Sequence, residues 1–425
     1  MPALTMLLKK FIQEIFLKEI KDMKIGIIKE TKTPIDNRVA LSPAQVAKLQ
    51  KDFPDSEFFV QASDIRAYNN DEYRQLGINI VENVDNCDIL FGIKEATIDS
   101  IIPNKHYFFF GHIAKMQEYN RPLIQAMIRK NITFSDYEYL VDDNNQRVCA
   151  FGWWAGVVGV YYTLRGYGLR TSKYSLPKPD IKFTLEQLKQ SLREIELPAV
   201  KIIVTGNGRV SQGAQYVLGN IGATKLSHED YLNTQHVDKI SYCVVDVDGL
   251  VKRKDGKEFS ITDFTQNPHE YESNFFRWAK TSDLLVSAHF WAPEAPVYLS
   301  EEDLKNSEMR IKMIGDVTCD IMGSIKSTVR PSTHAEPYYD YNPATAKEET
   351  AFSSENNITV MAVDTCPNAL AIDTSAYFGD MLIKHVFEPL LKGEKSSIIE
   401  RSTILENGNL TKRFSYLKDF ATEII

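Results

Sequence analysis

The sequence has no uninterrupted apolar run of the roughly 18 residues that a membrane-spanning helix needs. It has no stripe of basic residues either. Lys and Arg are scattered and the formal net charge is −8, so the electrostatic footprint of a DNA or RNA binder is missing. Cysteine is scarce. Cys87, Cys149, Cys243, Cys319 and Cys366 are far apart, odd in number and form no CxxC pair. That argues against a zinc site or a secreted disulfide scaffold and fits a reducing cytoplasm. All five read as small buried hydrophobes. The histidines fall into no metal-ligand spacing, so no metal is expected, and neither internal repeats nor low-complexity segments occur. What remains is the ordinary composition of a soluble globular protein, 43% hydrophobic and 25% charged. The chain is long enough for two domains.

Residues 1–22 stand apart. Leu7, Leu8, Phe11, Ile12, Ile15, Phe16 and Ile20 recur at helical spacing, which predicts one apolar helix face. Glu14 and Glu19, with no Arg, speak against a transit peptide. The segment reads as an extra helix or an over-long start, with Met23 opening the first domain.

From Met23 the pattern alternates. KIGIIKE, EFFVQ, DILFGIK, HYFFFGH and ITFSDYEYL read as strands. SPAQVAKLQKDF, capped at Ser42 with Pro43 at its first position, and MQEYNRPLIQAMIRKN read as helices. Such alternation predicts a largely parallel sheet covered on both faces. Residues 151–169 are apolar and rich in small residues, which predicts a buried helix passing between domains. Residues 170–199 are polar and lysine-rich. A second alternating region starts at AVKIIVTGNGRVSQGAQ and runs through YCVVDV, DLLVSAHFW and RIKMIGDVTCD.

Within that second region an apolar strand meets Gly206-Asn207-Gly208, and Arg209, Val210 and Ser211 open a helix. The first glycine permits the turn, and the second lets backbone approach a pyrophosphate. The helix start then aims amide donors at the phosphates. Ser211 stands where a third glycine is usual, and Gly213 follows two residues later. An acidic residue at the next strand end would hold the adenosine ribose. Glu229 fits that place and favours NAD over NADP. Ending the strand at Ser227 leaves the preference open.

In the first region, two apolar strands end at Lys94 and His112 and a third leads to Glu138, with Arg147 following. Ligands of open parallel sheets bind beyond the carboxyl ends of the strands. A desolvated lysine and a histidine on one rim form an acid and base suited to amine or imine chemistry.

These motifs also carry a resemblance. KETKTPIDNRVALSP, GIKE, GHIAKMQE, DYEYLVDDNNQRVCAFGWWAGVVG, GNGRVSQGAQ, DVTCDIMGSI and SAYFGD resemble the lysine-forming saccharopine dehydrogenases. That group includes the lysine–ketoglutarate reductase part of bifunctional lysine-degrading enzymes. More distantly they resemble alanine dehydrogenase and the N-terminal part of transhydrogenase. The resemblance implies an α/β fold of two Rossmann-like domains with a catalytic cleft between them, the first domain completed by the C-terminal segment. It places the substrate domain at residues 23–150 plus 335–425 and the NAD(P)-binding domain at 151–334.

The activity implied is reversible, NAD(P)H-dependent condensation of L-lysine with 2-oxoglutarate through an imine to saccharopine. Lys94 and His112 match the catalytic pair, and Arg38 and Arg147 match arginines that hold substrate carboxylates. Glu138 tunes the site or meets the substrate amine, Lys115 falls in the same cleft, and Asp320 lies beside the nicotinamide ribose. The expected partners are small molecules, an amino acid and a 2-oxo acid. Near residue 370 the family's stretch is replaced by LAIDTS. An alternative thus stays open, another amino-acid or opine dehydrogenase such as one acting on alanine and pyruvate. A non-catalytic NAD(P)-binding regulator would need neither Lys94 nor His112.

Overall fold

The computed structural model describes residues 23–422, so the expected N-terminal helix of residues 1–22 lies outside the described residues. The chain divides into two compact units. One holds the residues up to Ala150 together with those from Ala371 onward, and the other holds Phe151–Leu370. Among the described residues no helix is long and apolar enough to cross a membrane.

In the first unit, β1 (Lys24–Ile27), β2 (Glu57–Gln61), β3 (Asn79–Val81), β4 (Ile89–Lys94), β5 (His106–Phe110) and β6 (Thr133–Asp136) form a parallel sheet in the order β6-β5-β4-β1-β2-β3. Thr403–Glu406 adds an antiparallel strand beyond β6, Leu405 facing Phe134. The central strands β1, β4 and β5 are buried on both faces and read as continuous apolar runs, whereas β2 and β3 toward the edge keep exposed positions. Phe91 stacks on Phe108 with ring centroids 4.7 Å apart.

The C-terminal segment completes this core. In the helix Ala371–Leu382, Phe378 packs edge-on to Tyr137 at 5.0 Å and lies 5.8 Å from Phe110. Ser375 Oγ accepts the Val39 N–H at 2.9 Å. Helix α1 (Pro43–Asp52) starts as the sequence indicates, with the Gln45 side chain accepting the Ser42 N–H at 2.9 Å.

The second unit carries β7 (Lys201–Thr205), β8 (Thr224–Lys225), β9 (Ser241–Val245), β10 (Val251–Arg253), β11 (Tyr271–Ser273), β12 (Leu284–Ser287), β13 (Met313–Asp316), β14 (Tyr338–Asn342), β15 (Lys347–Glu349) and β16 (Ile358–Met361). Its main sheet runs β15-β14-β16-β13-β12-β7-β9-β8, and β10 and β11 form a separate hairpin. The domain boundary read from the sequence moves here. Residues 335–370 belong to this second unit, because β16 pairs parallel with β13 and β14 pairs antiparallel with β16.

The small-residue run at 151–169 forms α2 (Gly152–Thr171), a helix of the second unit rather than a bridge between units. It crosses α3 (Arg209–Asn220) at backbone contact. A Cβ on Gly156 would come within 1.8 Å of the Val210 carbonyl oxygen, and one on Gly213 within 1.9 Å of the Trp153 carbonyl oxygen. Two glycines facing each other's backbone thus set the helix–helix distance, which explains why Gly213 is needed although Ser211 replaces the usual third glycine.

Because the clash is with main chain, no side chain can move aside for it. Gly156→Ala should destabilise the second unit by about 3 kcal/mol, at the upper end of overpacking effects. Denaturant unfolding followed by fluorescence checks this. A midpoint equal to wild type would refute the close-packing account.

Candidate functional site

The carboxyl ends of β4, β5 and β6 lie side by side, and Lys94, His112 and Glu138 stand at or just past them. A bulge separates the Phe91–Phe108 pair from the Lys94–Phe110 pair, three residues of β4 spanning two of β5. Buried Glu30 holds the bulged end. Its Oε1 accepts the Ile93 N–H at 2.7 Å and its Oε2 the Lys94 N–H at 2.8 Å. Burial, reinforced by the nearby Asp36 carboxylate, pushes the Glu30 carboxyl up to about 8. For Asp36, burial opposes ionisation, but Arg38 outweighs it and holds the carboxyl below its usual range. Arg38 Nε donates to Asp36 Oδ1 at 2.9 Å and Nη2 to Oδ2 at 2.6 Å.

Gly111 ends the buried Phe108–Phe110 strand, and His112 adopts φ +52°, a left-handed conformation uncommon for a residue with a side chain. Its Nδ1 lies 3.4 Å from Glu138 Oε2. Glu138 Oε1 meets Lys115 Nζ at 3.1 Å and accepts from Arg147 Nη2 at 2.8 Å. The Glu138 side chain is 7% exposed, whereas Lys115 and Arg147 keep 48% and 49% of theirs in solvent. Burial alone would raise the Glu138 carboxyl. The hydrogen bond to His112 and the Lys115 and Arg147 charges prevail and bring it down to about 2. Beneath it, Asp136 accepts the Gly111 N–H at 3.2 Å and the Glu138 N–H at 2.9 Å, and burial moves its carboxyl up to about 6.

The structure thus gathers His112, Lys115 and Arg147 around the Glu138 carboxylate, with Lys94 at the end of β4. Arg38 is placed differently from the expectation for a substrate grip. It is buried, and two of its nitrogens already hold Asp36. The three buried acids, Glu30, Asp36 and Asp136, were not singled out from the sequence. Their letters are plain in KETKTPID and SDYE, but which backbone amides they face is a tertiary fact.

In the second unit, Gly206 turns at φ +81°, and a Cβ there would come within 2.8 Å of the Ala288 carbonyl oxygen. A Cβ on Gly208 would meet no atom within 4 Å. The first glycine is demanded by the fold; the second leaves room that the protein itself does not use. Both line a cavity of about 820 Å³ with Asn207, Arg209 and Val210. Ser211, Glu229 and Asp320 do not line it. Ser211 is buried inside α3, and Glu229 is exposed on the short helix after β8. Asp320 is half-buried in the turn after β13.

Two acids do line the cavity, Asp246 beside the glycine turn and Glu294 on the loop after β12; the nearer one owes its place to the sheet. The reason is strand order. β7 pairs with β9, Thr205 facing Val245, and β8 lies outside β9. Asp246 therefore follows the strand adjacent to the glycine turn, and the Gly206 N–H donates to the Val245 carbonyl at 2.7 Å. The signal was in YCVVDV, where an acid follows an apolar strand.

The rest of the cavity wall comes from the loop after β12 and from the helix Ile261–Gln266. Half-buried His289 ties that loop down. Thr205 Oγ1 takes the Ala288 N–H at 3.2 Å and lies 2.7 Å from His289 Nδ1, while Nε2 lies 2.9 Å from Ser324 Oγ. The room at Gly208, the helix N-terminus and Asp246 together fit a dinucleotide: pyrophosphate against the turn, ribose hydroxyls against the carboxylate. Among the described residues no cluster of His, Cys, Asp and Glu could hold a metal ion. The cysteines are free, and only Cys319 is more than slightly exposed.

Comparison with known proteins agrees with this architecture. Residues 26–158 match the family "Alanine dehydrogenase/PNT, N-terminal domain". The whole fold is the two-domain Rossmann-like fold of a solved L-alanine dehydrogenase, with a TM-score of 0.61 at 17% identity over 94% of this chain and 99% of that one. A transhydrogenase from Sinorhizobium meliloti follows at 0.55, with 13% identity over 91% and 98% of the two chains.

Among curated proteins the chain is related to an alpha-aminoadipic semialdehyde synthase of Arabidopsis thaliana, 26% identical over 94% of this chain and 42% of the relative. The mitochondrial synthase of Mus musculus is 25% identical, over 90% and 46%. A saccharopine dehydrogenase [NAD(+), L-lysine-forming] of Candida glabrata is 24% identical, over 86% and 94%. The chain thus spans less than half the length of the two synthases. The resemblance read from the motifs is the one these comparisons return.

Glu30 gives this geometry a pH signature. Its folded carboxyl holds a proton up to about 8, whereas the unfolded one releases it near the ordinary glutamate value of 4.5. Between those values the unfolded chain binds fewer protons, so this group lowers stability as pH rises. Glu30→Gln should therefore gain stability relative to wild type as pH goes from 5 to 8. Denaturant midpoints at several pH values check it, and a pH-independent difference would contradict the buried neutral acid.

Proposed function

We propose that the chain is an NAD(P)-dependent oxidoreductase that reversibly joins L-lysine to 2-oxoglutarate through an imine, giving saccharopine. The observation that carries the reading is the Glu138 carboxylate meeting His112, Lys115 and Arg147 at the strand ends beside Lys94. The relatives named for this reaction and its neighbours support the choice of substrates. Lys115 and Arg147 bring two positive charges against one carboxylate, leaving a net attraction for an acidic substrate.

The proton transfers are assigned to the first unit. In the oxidative direction Lys94 takes the proton of the secondary amine, and His112, held at Nδ1 by Glu138, activates water for attack on the imine. In the condensing direction each returns its proton. A nicotinamide bound at the glycine turn would exchange a hydride with the carbon bearing nitrogen. Asp246 favours NAD, because a carboxylate accepts hydrogen bonds from ribose hydroxyls and repels a 2′-phosphate.

The direct test is NADH and NADPH oxidation with 2-oxoglutarate or pyruvate, crossed with lysine, alanine and ammonia. Turnover only with 2-oxoglutarate and lysine is expected. Turnover with pyruvate and ammonia instead would replace this reading with an alanine dehydrogenase. His112→Gln and Lys94→Met should each lower kcat by about 10²–10⁴ with cofactor affinity kept. Turnover within a few-fold of wild type in both would remove them as the catalytic pair.

Cofactor choice has its own test. Gly208→Val should abolish NADH binding while the protein stays folded, since the space beside Gly208 is filled. Asp246→Ala should raise the KM for NADH and narrow its advantage over NADPH. An unchanged NADH-to-NADPH ratio would take the ribose contact away from Asp246.

A further inference from the structure

We propose that Asp136 is a positioning residue for His112 and Glu138, one buried carboxylate fixing the main chain at both. This rests on the reading of His112 as a proton-handling residue. Asp136 ends β6 and is fully buried. Its Oδ2 accepts the N–H of Gly111, immediately before His112, and its Oδ1 accepts the N–H of Glu138. The ends of β5 and β6 are thereby tied to a single rigid group.

The tie is placed where the chain needs it. His112 follows Gly111 in the left-handed conformation, which a free loop would leave. Gly111 leaves no room for a side chain, since a Cβ there would lie 2.6 Å from the Phe134 ring. The Glu138 side chain, starting from an amide that Asp136 holds, then reaches His112 Nδ1 at 3.4 Å. Asp136 touches no reacting group in this arrangement and acts through its neighbours. His112 and Glu138 are also the side-chain charges that bear on it, together with the backbone amides.

A buried carboxylate bound to two amides is costly unless both acceptors are needed. Asparagine has the same shape but offers one acceptor, and its amide group would face one N–H donor with another. Asp136→Asn therefore releases either Gly111 or Glu138 without opening a cavity.

The experiment measures kcat, KM for NADH and NADH dissociation in Asp136→Asn, His112→Gln and the double variant. Displacement of a catalytic group by about an ångström lowers rate on the order of 10²-fold, so Asp136→Asn should lose roughly 10- to 100-fold in kcat. NADH affinity and its KM should stay within about two-fold of wild type. Adding Asp136→Asn to His112→Gln should lower kcat no further, because neighbours acting as one unit are not additive.

Wild-type kcat in Asp136→Asn, or effects that multiply in the double variant, would overturn the proposal alone. Wild-type kcat in His112→Gln would overturn the reading of His112, and this proposal with it. If Asp136→Asn does not fold, amide hydrogen exchange in the wild-type chain decides. Protected Gly111 and Glu138 amides support the tie, and exchange as fast as in exposed loops refutes it.

Discussion

A carboxylate taken out of water must be given a proton or be given partners, and Glu138 has been given partners. It reaches His112, Lys115 and Arg147, which come from the segment after β5 and the segment after β6. Their placement is meaningful only while Glu138 stays ionised. Its backbone is held by Asp136, which also holds the residue before His112. The same device recurs one strand over, where Glu30 grips the amides of Ile93 and Lys94. Glu30 and Asp136, neither paired with a cation in the way Glu138 is, have carboxyls pushed up by burial to about 8 and about 6. The rim therefore rests on acids of two kinds: one ionised and gathering charge, two buried and ordering backbone.

The second unit solves a different problem, bringing backbone close to backbone. Gly156 and Gly213 let α2 and α3 touch, and Gly206 lets the turn pass under the loop after β12. His289 then ties that loop to Thr205 and Ser324. The result is a cavity lined by the glycine turn, with the acidic side chain of Asp246 beside that turn. Glu294 adds a second carboxylate on the far loop.

Much of this was legible in the letters. Apolar runs marked β1, β4, β5 and β7 because strands buried on both faces need not alternate. Lys94, His112 and Glu138 could be placed on one rim because parallel neighbours end on the same side. Three things could not be read. Residues 335–370 were given to the first domain by the resemblance, whereas β14 and β16 extend the sheet of β13. Glu229 was named by its distance along the chain from the glycine turn, and that distance does not show that β9, not β8, adjoins β7. Arg38 looked like a substrate anchor because nothing local shows Asp36 closing on its guanidinium. Each rests on a strand or side-chain pairing that periodicity does not encode.

The claim on which the first unit stands is that Glu138 remains a carboxylate because three cationic or protonatable groups surround it. Carbon-13 NMR of the glutamate side-chain carboxyls, with Glu138 assigned by comparison with Glu138→Gln, measures this directly. The account predicts that the Glu138 signal holds its ionised shift as pH is lowered from 7 to 4, consistent with a carboxyl brought down to about 2. A signal that titrates at the usual glutamate value, or above it, would show that His112, Lys115 and Arg147 do not hold it, and would contradict the account.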